Sequence, residues 1–116
     1  MLFVQYPKCS TCRKAKNWLD EHNIEYESRH IIEDNPASDE LRKWWEISDL
    51  PLKRFFNTSG MKYRELKLKD KLPDMSEDEQ LDLLATDGML VKRPVLVADD
   101  FVLVGFKVKE WEEKII

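Results

Sequence analysis

A chain of 116 residues, 42% hydrophobic and 36% charged, has the size and apolar content of one packed domain, which excludes a disordered, fibrous or multidomain chain. Its 23 acidic and 19 basic residues leave a net charge of -4, so it carries no cationic footprint for holding nucleic acid directly. The longest apolar runs, Leu2 to Val4 behind Met1 and Phe101 to Phe106, fall far short of a membrane span, and no basic segment with a long apolar stretch opens the chain, so a cytoplasmic protein is expected.

Leu2 to Tyr6 is a short strand-like run closed by Pro7. After Cys9 the period becomes helical, with Ala15, Trp18, Leu19 and His22 on one face and Asn23 as the stop. Glu25 to Ile31 has the content of a second strand, which completes a strand-helix-strand crossover with parallel strands. Beyond the loop Glu33 to Pro36, Ser38 reads as the N-cap of a helix with Leu41, Trp44 and Trp45 on its apolar face, ended by Leu50-Pro51. Leu52 to Phe56 is a short helical piece closed by Asn57-Thr58-Ser59-Gly60, and Tyr63 to Leu72 is a charged stretch anchored by Leu66 and Leu68. Ser76 and Glu79 form a capping box ahead of Leu81, Leu83, Leu84 and Ala85, with Gly88 as the stop. Val95 to Ala98, the turn Asp99-Asp100 and Phe101 to Val104 predict a hairpin, and Val108, Trp111 and Ile115 mark a C-terminal helix. The order β-α-β, helices, β-β-α predicts an α/β thioredoxin-like fold with a four-stranded mixed sheet, a single domain over 1–116 with a helical insertion at about 35–90.

The two cysteines form Cys9-Ser10-Thr11-Cys12. Cysteines at this spacing also begin zinc sites, but such a site needs four ligands, and the chain offers no second cysteine pair, while His22 and His30 lack ligand spacing. Two inert buried thiols are a further alternative, which gives the strand-to-helix position no role. A redox pair does use that position: at a helix N-terminus, unpaired N–H groups and the positive end of the dipole favour a thiolate at Cys9. Cys12, one turn further in, then has the place of a resolving cysteine. Lys8, Arg13, Lys14 and Lys16 crowd this segment; Lys8 and Arg13 lie near enough to lower the Cys9 pKa, while the others read equally as a solvated helix face. Arg93-Pro94 stands directly before the Val95 strand. In a thioredoxin-like fold a cis-proline there faces the cysteine motif, and Arg93 presents a planar fork to the thiolate or to a substrate anion that Lys92 cannot reproduce.

Taken together, Pro7 to Ala15, Lys92-Arg93-Pro94, Val104-Gly105-Phe106 and the phrase Phe55-Phe56-Asn57-Thr58-Ser59-Gly60-Met61-Lys62-Tyr63-Arg64 resemble the arsenate reductase and Spx family of thioredoxin-like proteins, in particular its small Spx/MgsR-type branch. The resemblance implies a thiol-disulfide oxidoreductase with Cys9, Cys12 and Arg93 as catalytic residues and Lys8, Ser10, Thr11, Arg13, Asn57, Pro94 and Gly105 as substrate-binding ones. It implies no bound cofactor or metal, electrons from glutathione or thioredoxin through a glutaredoxin or thioredoxin system, and a small thiol or protein disulfide as substrate. For the arsenate reductases it implies three arginines around the oxyanion. Arg93 matches one, and the other two positions fall at Asn57 and close to Gly105, so arsenate is expected to be reduced negligibly. For the Spx proteins it implies a cysteine-pair switch whose partner is the C-terminal domain of the RNA polymerase α subunit, with no direct contact to nucleic acid or membrane.

Overall fold

The computed structural model describes residues 1–116. Leu2–Gln5 (β1), Ser10–Glu21 (α1) and Glu27–His30 (β2) form the opening unit, and Ser38–Ser48 (α2), Met61–Glu65 (α3), Leu68–Lys71 (α4) and Glu77–Thr86 (α5) form the helical segment. Val95–Val97 (β3), Val102–Val104 (β4) and Val108–Ile115 (α6) close the chain. The four strands lie in the order β2-β1-β3-β4, with β1 parallel to β2 and antiparallel to β3, and β3 antiparallel to β4. This is the mixed sheet of the expected thioredoxin-like fold.

Because side chains alternate along a strand, the sheet sorts its residues into two apolar layers. Phe3 and Leu96, paired across β1 and β3, face α1 and α6 and meet Ala15, Trp18, Leu19 and Trp111. Val4, Val95, Val102 and Val104 point to the other side, against Leu41 and Trp44 of α2, Leu81 and Leu84 of α5 and the aromatic pair Phe55 and Phe56. A slip of one residue between β1 and β3 would turn both sets to the wrong face, so burial of these side chains, at roughly 2 kcal/mol each, also fixes the register. Trp111 closes the first layer: its ring stands edge-on to Trp18 and Phe106, and its Nε1–H donates to Gly105 O at 3.1 Å.

Several local expectations are corrected. The second strand is shorter than Glu25 to Ile31, and its side chains are largely exposed because it is a sheet edge. That edge is tied to α2 by Arg29, whose guanidinium forks onto Glu40 at 2.6 and 2.9 Å and also donates to the Asp34 and Asn35 carbonyls. Ser38 is not the cap of α2. Ala37 holds that place, the Glu40 carboxylate accepts from the Ala37 N–H, and the Ser38 hydroxyl donates to Asp82 of α5 at 2.7 Å. Acidic residues of the first turn take over the capping work and release the hydroxyl for a tertiary contact. The box at Ser76 and Glu79 forms as expected, with bonds of 3.1 and 3.0 Å.

Gly88 does not stop α5 by a left-handed turn: the helix ends at Thr86, and Asp87 is extended, its side chain accepting from the Met89 N–H. The glycine is required by contact, since a Cβ at Gly88 would run into the Ile31 carbonyl oxygen. His22 and Val108 are exposed rather than on buried faces. His22 caps α1 and stacks its ring on Trp18, and in α6 the apolar face is carried by Trp111 and Ile115.

Two stability predictions follow from these contacts. Gly88→Ala should destabilise the chain by about 3 kcal/mol, at the upper end for overpacking, whereas Ser76→Ala should cost about 1 kcal/mol, both read from urea unfolding. Hydrogen bonding from Arg29 outweighs partial burial and holds the Glu40 carboxyl below its ordinary range. Its folded pKa is therefore depressed, so its contribution to stability is complete above the unfolded value of about 4.3 and is lost as pH falls through the folded one. Glu40→Gln should flatten that part of the stability-pH curve.

Candidate active site

Leaving β1 at Gln5, the chain turns through Tyr6 to Cys9, whose N–H donates to the Tyr6 carbonyl at 2.9 Å. Cys9 is the N-cap of α1, in extended backbone, and its carbonyl accepts from the Arg13 N–H at 3.0 Å. No side chain caps α1 and its first turn carries no acidic residue, so the positive end of the helix is left to the sulfur. Both thiols are free. Cys9 is half-buried and Cys12 fully buried.

The two thiols are driven in opposite directions. Burial pushes Cys9 up, but it is outweighed by hydrogen bonds from the Cys12 N–H and thiol and by the hydrogen bond and charge of Arg93, which together hold Cys9 below an ordinary thiol. Burial pushes Cys12 up to about 12; the Tyr6 backbone pulls against it, the bonding and negative charge of Cys9 add to the rise, and Arg93 opposes it more weakly.

Arg93 reaches Cys9 because of the sheet. β1 and β3 are antiparallel with Val4 opposite Val95, so the residues just after β1 and those just before β3 emerge at the same end. The Arg93-Pro94 bond is cis. Arg93 Cζ lies over the Tyr6 ring, 5.3 Å from its centroid, and its Nε and Nη1 are buried with no protein acceptor. Arg93 faces an open cleft of about 630 Å³, lined also by Cys9, Thr11, Asn57, Lys62 and Lys92, with Glu65 and Asp87 as the acidic members.

Of the residues singled out in the sequence, Cys9, Thr11, Asn57 and Arg93 thus meet at one cleft, with Cys12 behind Cys9. Lys8, Ser10 and Arg13 are exposed and do not line it; the charge that acts on Cys9 is Arg93, not Lys8 or Arg13. Pro94 and Gly105 are buried away from it. The Gly105 N–H donates to Pro94 O at 2.8 Å and its carbonyl accepts from Trp111, so no N–H is left there to hold an anion. Gly105 has φ +77°, and the Lys92 stem passes where its side chain would stand, with Cε 3.3 Å from an ideal Cβ. Tyr6, Lys62 and Lys92 are the site residues that the sequence reading missed. Tyr6 reads as one more apolar strand residue, whereas Lys92, next to Arg93 before a strand, was a signal within reach. No three His, Cys, Asp or Glu side chains converge in a metal-sized group.

Over residues 4–114 the chain matches the model of the ArsC family. It belongs to the ArsC family. The ArsC-family chain is 59% identical to YusI, an uncharacterized protein of Bacillus subtilis (strain 168), over 97% of this chain and 96% of that one. It is 30% identical to the regulatory protein MgsR of the same organism, covering 91% of this chain and 82% of MgsR. A solved ArsC-family related protein from Bacteroides fragilis superposes with a TM-score of 0.94 at 62% identity, over 97% of this chain and 94% of that one.

Iodoacetamide should therefore label Cys9 in preference to Cys12 at neutral pH. Arg93→Ala should move the Cys9 alkylation profile to higher pH, because a favourable charge and hydrogen bond leave the thiolate; peptide mapping across a pH series reads both outcomes.

Proposed function

We propose that this ArsC-family chain is a thiol-disulfide oxidoreductase of the cytoplasm in which Cys9 attacks and Cys12 resolves. The observation that carries this reading is the pairing of an acidified, partly exposed thiol with a buried, protonated one a turn further into α1. The Cys9 thiolate displaces one sulfur of a substrate disulfide, forming a mixed disulfide and releasing that half as a thiolate that takes up a proton. Cys9 is then uncharged, which removes its share of the rise at Cys12 while burial remains; Cys12 loses its proton, attacks the Cys9 sulfur and expels the second half as a thiol. Two electrons have passed to the substrate and the protein holds a Cys9–Cys12 disulfide. Glutathione, or thioredoxin acting as a dithiol, would return them, with a glutaredoxin or thioredoxin system as the partner.

The likeness to MgsR favours a second reading, in which the same disulfide switches a regulator that binds the C-terminal domain of the RNA polymerase α subunit. Titrating purified α C-terminal domain with the reduced and the oxidised chain separates the two: oxidation-dependent binding without turnover selects the regulator, and NADPH-coupled turnover of small disulfides selects the enzyme.

For the enzyme, Cys9→Ser should abolish disulfide reduction, and Cys12→Ser should leave Cys9 trapped as a mixed disulfide, seen as added mass in the intact protein. Arsenate should not turn over above background. Arg93 is the one guanidinium at the cleft, Asn57 donates only neutral bonds, and Lys62 and Lys92 offer point charges without a planar fork. Two missing charge-assisted bonds at about 1.5–3 kcal/mol each amount to several hundredfold or more in rate, on the order set by the transition-state relation. Asn57→Arg should raise whatever arsenate activity remains in a glutaredoxin-coupled assay.

A further inference from the structure

We propose that the ring of Tyr6 is the seat on which the Arg93 guanidinium rests beside Cys9, which makes Tyr6 a positioning residue for the thiol chemistry. The proposal rests on the reading of Cys9 as the attacking thiol. A guanidinium is ordinarily aimed by carboxylates or carbonyls that accept its fork. Arg93 has none of these: it takes part in none of the four ion pairs, and its Nε and Nη1 are buried without an acceptor. What lies beneath it is the face of Tyr6, at 5.3 Å from Cζ to the ring centroid, within the range over which a cation is attracted to an aromatic quadrupole. The ring leaves the edge of the guanidinium free for the sulfur, which a carboxylate anchor would compete for.

Tyr6 is itself held on several sides. Its carbonyl accepts from the Cys9 N–H at 2.9 Å, so the main chain below the ring is tied to that cysteine. Its ring stands edge-on to His30, with centroids 5.7 Å apart at 81°. The His30 ring is fixed in turn by Nδ1, which accepts from the Ile32 and Glu33 N–H groups at 3.1 Å each. One residue therefore meets Cys9 through its carbonyl and Arg93 through its face.

The test reads the ionisation of Cys9 rather than turnover, so it stands or falls separately from the assignment of substrate. Alkylation-pH profiles of Cys9 are compared for wild type, Tyr6→Leu, Tyr6→Met, which keeps more of the volume, and Tyr6→Phe, which keeps the ring face. The Leu and Met variants should move the profile to higher pH and slow neutral-pH labelling roughly two- to fivefold, as expected for losing one cation–π contact, while the Phe variant overlays the wild type. In an Arg93→Ala background the Tyr6 substitutions should add nothing. A profile unmoved by Leu and Met, a shift equally large with Phe, or a shift that persists without Arg93 would each overturn the proposal. In the unaltered protein the Arg93 Nε–H proton, assigned by its loss in Arg93→Ala, should resonate upfield under the ring current of Tyr6, and an unshifted proton would overturn it without any change at Tyr6.

Discussion

The antiparallel register that sets Val4 of β1 opposite Val95 of β3 is the constraint on which the site depends. It brings the residues that follow one strand and precede the other to a single end of the sheet, although nearly ninety positions of sequence separate them. Cys9 arrives there from β1 and Arg93 from the approach to β3, where its guanidinium meets the sulfur. The register is held by burial of Phe3 with Leu96 on one face and Val4 with Val95 on the other, so the apolar layers aim the polar chemistry. The helical segment adds the far wall, and the bridge between Phe56 and Val91 seats that wall against the stretch leading into Arg93.

Within the site, a small difference in depth separates two identical side chains. Cys9, at the cap, keeps some contact with water and gains donors from Cys12 and Arg93; at Cys12 burial outweighs the pull of the Tyr6 backbone and of Arg93. The difference is present in the resting protein: one sulfur is reachable and held below an ordinary thiol, the other is buried and raised.

Much of the architecture was legible because it rests on local rules. Period-2 and period-3.6 patterns located the sheet and most helices, the box at Ser76 and Glu79 marked a true cap, and the cysteine spacing after a strand placed Cys9 at a helix N-terminus. What escaped was set by tertiary contact. Ser38 reads as a cap until Asp82, far along the chain, takes its hydroxyl. Gly88 reads as a helix stop, yet its missing Cβ makes room for the Ile31 carbonyl. Gly105 lies in a segment resembling a ligand site, and its backbone is spent on Pro94 and Trp111. Proximity to Cys9 along the chain favoured Lys8 and Arg13, but both face solvent while Arg93 comes from across the sheet. Tyr6 and the Arg29 fork on Glu40 carry no local signal, because their meaning lies in partners brought to them by the fold.

The two apolar layers on opposite faces of the sheet give the cleft a modular build. Cys9 and Thr11 are carried by a helix rooted through Ala15, Trp18 and Leu19 in one layer, whereas Asn57, Lys62 and their neighbours are rooted through Phe55, Phe56 and Tyr63 in the other. Substitutions that reshape the second wall do not have to be accommodated by the packing beneath the cysteines. One wall of the cleft can thus change its charge or shape while the seat of the two sulfurs stays as it is.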